Sequence, residues 1–194
     1  MRVIVFSLLT LLLSGVALAQ AWDGAEVRSH PATFFAGVAA GILAHEAGHA
    51  AVATAYGFDV GLHNLSVVYS GGVMSDSEHL RIASAGIETQ WIISECVLRG
   101  SEKQGEPLGA FKAGLVVSEL AVAAAYLTFL KDHEEGDLVG MSQATGLSTD
   151  QLALLVAIPA ALDAWRLFGD DVPEWVPNVS LGYKGAGIAA TWTF

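Results

Sequence analysis

The stretch Gly41-Ile42-Leu43-Ala44-His45-Glu46-Ala47-Gly48-His49-Ala50-Ala51-Val52-Ala53 sets three ionisable side chains inside an otherwise apolar run. At 3.6 residues per turn, His45 and His49 fall one turn apart on one face of a helix. Two imidazoles so placed can reach one metal ion, at zinc–nitrogen distances of about 2.0–2.1 Å. Glu46 lies beside them, where it can take a proton from a zinc-activated water and later pass it to a leaving amine. Two histidines and a glutamate among alanine, leucine and valine are costly unless they are paired or bind a metal. The sequence therefore predicts Zn2+ on His45 and His49 with Glu46 as the catalytic base. The alternative is a helix whose buried polar groups are hydrogen-bonded without an ion.

Outward from this motif, residues 32–58 run almost without charge apart from Glu46, and Gly57 is a natural helix stop. Roughly 20 apolar residues cross a bilayer core, so this run is long enough to span. Three further apolar helices are expected at about 80–98, 108–130 and 151–168. Ser148-Thr149-Asp150 can cap the last of them, and Pro159 should kink it. Short strands are expected at 60–62, 65–69 and 71–73 with a glycine turn, and residues 131–150 read as an acidic loop. The tail, 169–194, carries a hairpin pattern around Lys184-Gly185. At the other end, Arg2, the apolar residues 3–13 and Ala17-Leu18-Ala19 form the pattern of a signal peptide; an uncleaved signal anchor is the rival. The organisation predicted is a targeting segment over 1–21, a helical membrane domain over 22–168 and a tail over 169–194. The fold class predicted is mainly α: a membrane-embedded bundle of about four apolar helices, with one β-hairpin after the His45 helix and another at the C-terminus.

Composition agrees with that class. Hydrophobic residues make up 53% of the 194 and charged residues 15%, against about 25% charged in an ordinary soluble domain. The net charge of -11, with nine lysines and arginines in no cluster, excludes the basic surface that a phosphate-backbone binder needs, and hence nucleic acid as a partner. The single cysteine, Cys96, cannot form an internal disulfide and reads as a small core residue. His63, His79 and His133 fall in polar stretches and read as surface residues, and Glu95 as a helix-end residue facing solvent. The positive residues Arg99, Lys103 and Lys112 favour the cytoplasmic side for their loop, whereas a cleaved signal favours the opposite orientation.

Two imidazoles leave a catalytic zinc one protein ligand short. The residue types that could supply it are Asp163, Glu88, Glu95, Glu119 and His79, and charge alone does not choose among them. Here the chain resembles the site-2 protease family of intramembrane zinc metallopeptidases over about residues 33–168. That family carries His-Glu-x-x-His in one transmembrane helix and a proline-containing run ending in Leu-Asp-Gly in a later one. Ile158-Pro159-Ala160-Ala161-Leu162-Asp163-Ala164-Trp165-Arg166 is similar to the second run, with Ala164 where the family usually has glycine. Residues 57–73 resemble the family's glycine-bearing hairpin. Ala83-Ser84-Ala85-Gly86-Ile87 is similar to its small-residue stretch, with Ile87 where proline is common. The resemblance implies that His45, His49 and Asp163 bind Zn2+ and that Glu46 is the base. Glu88 stays open as the alternative third ligand, since a glutamate from a second helix is the pattern of soluble glutamate-zincins.

The function predicted is hydrolysis of a peptide bond in a protein or peptide substrate, including a transmembrane segment, within or beside a lipid bilayer. The place predicted is the inner membrane of a bacterial-type cell envelope, with a periplasmic or secreted soluble zincin as one alternative. A non-enzymatic membrane protein with a structural or vestigial site is the other.

Overall fold

The computed structural model describes residues 21–63, 66–169 and 172, with the backbone of 178–183 and 188–193. Apart from Ala21, the expected targeting segment lies outside the described residues. Six helices are described: α1 (Gly24–Ser29), α2 (Pro31–Ala55), α3 (Asp76–Gln104), α4 (Ala110–Thr128), α5 (Asp137–Thr145) and α6 (Thr149–Phe168). Strands β1 (Asp59–His63) and β2 (Ser66–Ser70) pair antiparallel, with Gly61 opposite Val68. Strands β3 (Asn178–Tyr183) and β4 (Ile188–Thr193) form a second antiparallel pair.

Local sequence accounts for the helix ends. Pro31 starts α2, where its missing N–H costs nothing. Ser75 with Glu78 and Ser148 with Gln151 form capping boxes at the starts of α3 and α6. Past the end of α2 the chain turns at Gly57, whose φ of +82° suits glycine.

The mainly helical architecture agrees with the sequence, and several details do not. Among the described residues two helices, Ala110–Thr128 and Thr149–Phe168, are long and apolar enough to cross a membrane, where four were expected. The polar groups interrupting the other two explain the shortfall: His45, Glu46 and His49 in α2, and the many charges of α3, which runs on through the polar residues 99–104. Residues 71–73 form no strand; Gly71 and Gly72 instead lead out of β2 toward α3. The expected acidic loop contains α5, with Leu138 and Met141 buried. Cys96 is exposed rather than in the core, and Glu95 is buried rather than facing solvent.

Helix α2 lies between α3 and α4, and its buried face is made of Gly37, Gly41, His45, Gly48, His49 and Ala53. The glycines let backbones approach closely: a Cβ on Gly37 would strike the Phe111 carbonyl oxygen, and one on Gly48 would lie 2.6 Å from the Ala85 carbonyl oxygen. One apolar core, including Ile87, Tyr126, Leu138 and Val156, joins α3 to α6 beneath the histidines. A second, around Leu98, Leu108, Val116 and Leu167, closes the opposite end.

Candidate metal centre

The small-residue face of α2 brings the His45 and His49 rings against α3 and the start of α5. Gly86 of α3 makes the room, because a Cβ there would lie 2.6 Å from both Nε2 and Cδ2 of His45 and closer still to Nε2 of His49. Gly140 does the same for α5, where a Cβ would meet Ala83 at 3.0 Å and His79 at 3.2 Å. Asp137, at the first turn of α5, then faces both rings. His45 Nε2 lies 2.9 Å from Asp137 Oδ2, His49 Nε2 lies 3.2 Å from Oδ1, and the two Nε2 atoms are 3.1 Å apart.

The outer hydrogen bonds fix which nitrogens carry protons. His49 Nδ1 is 2.6 Å from the Ile82 carbonyl oxygen, which can only accept, so Nδ1–H donates. Gln90 turns its Nε2 toward the Gly41 carbonyl and Ser118 Oγ, which leaves its Oε1 to accept from His45 Nδ1 at 3.0 Å. Each ring is thereby left with its Nε2 facing the other ring and the Asp137 carboxylate. Such a triangle is repulsive unless a proton or a cation stands within it. Two ligand atoms about 2.0–2.1 Å from one tetrahedral ion lie roughly 3.3 Å apart, close to the separations here. The three residues thus fit zinc in donor type, in spacing and in outer support.

Burial alone would raise the Asp137 pKa, but hydrogen bonds from His45 and His49 outweigh it and hold the carboxyl well below the usual carboxylate range. Burial alone would lower His49, and the contact with Asp137 outweighs that and raises it. Tyr126 donates to Asp137 Oδ2 at 2.7 Å and fixes the carboxylate from the α4 side.

A pocket of about 310 Å3 opens over the triad, with Glu46, Val67, Tyr69, Val122, Leu130 and His133 among its lining. Glu46 is half-buried there, and its Oε2 accepts the Val67 N–H at 2.8 Å. Burial raises the pKa of Tyr69, and the nearby Asp137 charge adds to it.

The residues expected as third ligand lie elsewhere. Asp163 of α6 is buried against Arg166, 3.2 Å away, and beside Glu119. Glu88 accepts from Ser84 Oγ at 2.6 Å; burial raises its pKa, while Ser84 and Arg81 pull the other way. Among the described residues, the His45, His49 and Asp137 group is the one that gathers three such ligands within 4.8 Å. The structure therefore brings Asp137 to the two histidines, and neither the expected Asp163 nor the alternative Glu88. Sequence reading missed Asp137 because it treated residues 131–150 as a loop. The available signal was Asp137 followed by Leu138 and Met141 three apart and then Gly146, a one-face apolar helix with an acidic start and a glycine stop. Gln90 and Tyr126 were missed as well, since nothing local marks a residue that supports another across helices.

No protein-family model, curated protein or solved structure matches the chain.

Proposed function

We propose that the protein is a zinc-dependent peptidase acting in or beside a membrane. The observation that carries this reading is the meeting of two imidazole Nε2 atoms and one carboxylate, each fixed from behind by a further hydrogen bond, next to Glu46 in an open pocket. A zinc ion held there would supply Lewis acidity toward a water molecule and a carbonyl oxygen. Glu46 takes the water's proton on its carboxylate and returns it to the departing amine nitrogen. In the substrate-free protein, Glu46 Oε2 accepts from Val67, leaving Oε1 for that proton. Because Val67 donates to Glu46, this side of β2 is turned toward the triad, and an unwound peptide can add along it as an extra strand. A helical substrate must first unwind, since helical amides are already paired.

The membrane setting is supported by α4 and α6. Only 44% and 39% of their apolar windows are buried within the protein, so most of that surface faces outward. Leu154 (62%), Leu155 (52%) and Ile158 (58%) are exposed on α6 alone. Contiguous apolar surface of this kind needs lipid or a partner to cover it. An inner-membrane enzyme of the cell envelope is the setting proposed.

The test is Glu46→Gln in the purified, zinc-loaded protein assayed against unfolded and membrane-spanning peptides. The expected result is unchanged zinc content with cleavage abolished. Cleavage at the wild-type rate refutes the assignment. Recovery of the protein without detergent removes the membrane part of the proposal alone.

A further inference from the structure

Away from the metal centre, α3, α4 and α6 bury a second group of ionisable side chains. Arg166 donates from Nη1 to Glu95 at 2.5 Å and to Asp163 at 3.2 Å, and from Nε to Glu102 at 2.9 Å. Arg99 donates to Glu95 at 2.6 Å. Glu119 of α4 is 2% exposed and sits beside Ser94, Asp163 and Arg166. Neither of its carboxyl oxygens has a hydrogen-bond partner among the described residues, and Ser94 Oγ and Arg166 Nη2 are also without one. The two guanidinium groups are thus shared by Glu95, Glu102 and Asp163, and none is paired with Glu119. From the other side, α2 carries no charged residue between Pro31 and Ala44. An ionised Glu119 would be a buried charge without a hydrogen bond, next to a second carboxylate, while its Arg166 neighbour already serves three other carboxylates. Two carboxyls in one such site do not both ionise; one keeps its proton.

We propose that Glu119 and Asp163 form a proton-binding site in the helical core, distinct from the metal centre, in which Glu119 holds one proton at neutral pH beside Asp163. The proton comes from solvent and returns to solvent, and only an O–H bond forms or breaks. Losing it sets like charges on α4 and α6 against each other, so that contact loosens in alkali. The proposal does not rest on the peptidase reading.

The experiment is infrared spectroscopy of the full chain at neutral pH, comparing wild type with Glu119→Gln. A protonated carboxylic acid has a carbonyl stretch that an ionised carboxylate lacks. The expected result is one buried carboxylic-acid band in the wild type, missing from the variant, with zinc content equal in both. Superimposable spectra overturn the proposal. The wild type alone also decides: its band should disappear on raising the pH, together with faster amide exchange in α4 and α6. A neutral-pH spectrum with no protonated carboxyl band overturns the proposal whether or not the variant folds.

Discussion

Gly86→Ala is a one-methyl test of the metal centre. The added Cβ would fall 2.6 Å from Nε2 and Cδ2 of His45, about 0.8 Å short of ordinary van der Waals contact at 3.4 Å, and closer still to His49 Nε2. The rings cannot yield that far while keeping Nδ1 on the Gln90 side chain and the Ile82 carbonyl, so the Nε2 pair must separate or turn. Overpacking of this size costs about 1–3 kcal/mol. Disturbing the support of a metal ligand costs about 10–100-fold in affinity, or roughly 1.4–2.8 kcal/mol. Zinc affinity should therefore fall at least tenfold, measured by competition with a chromogenic chelator, while circular dichroism keeps its helical signal. Gly100→Ala on the same helix is the control. Nothing lies within 4 Å of its Cβ position, so it should leave zinc binding alone and raise stability by about 0.5–1 kcal/mol. Wild-type zinc affinity in Gly86→Ala would refute the placement of the two imidazoles around this position.

Further outcomes follow from the same geometry. Asp137→Asn should lose stoichiometric zinc by elemental analysis, whereas Asp163→Asn should keep it; the reverse pattern would restore the resemblance-based ligand set. Tyr126→Phe removes a 2.7 Å hydrogen bond to Asp137 and should weaken zinc binding about 10–100-fold without unfolding the chain. The metal-free protein should be most stable between two limits. Asp137, whose folded pKa is depressed, contributes stability above its unfolded pKa of about 3.9 that is lost as pH falls toward the folded value. His49, whose folded pKa is raised, contributes fully below about 6.5 and loses that contribution as pH rises through its folded value. Urea unfolding across pH checks this, and Asp137→Asn should flatten both limbs.

Much of the scaffold was legible because its signals are local. Helical periodicity set His45 and His49 on one face, Ser148 with Gln151 announced the start of α6, and Gly57 the stop of α2. What was hidden depends on which helices meet. Asp163 stands in a run similar to a known zinc-binding pattern, yet Arg166, three residues on along the same helix, pairs with it and with Glu95 in another cluster. Asp137 lay in a stretch whose charges and glycines outweighed two apolar residues in a short helix. Glu95 looked solvent-facing because its pairing with Arg166 spans 71 positions. Spacing decides partners within a helix but not across a bundle, and the missed site residues all act across it.

X-ray absorption at the zinc edge on the purified, detergent-solubilised full chain addresses the metal centre itself. The expected spectrum shows one zinc per chain with two imidazole nitrogens at about 2.0–2.1 Å and carboxylate oxygen in the same shell, the oxygen contribution changing in Asp137→Asn. A chain that binds no zinc, or whose first shell is unaltered by that substitution, contradicts the account.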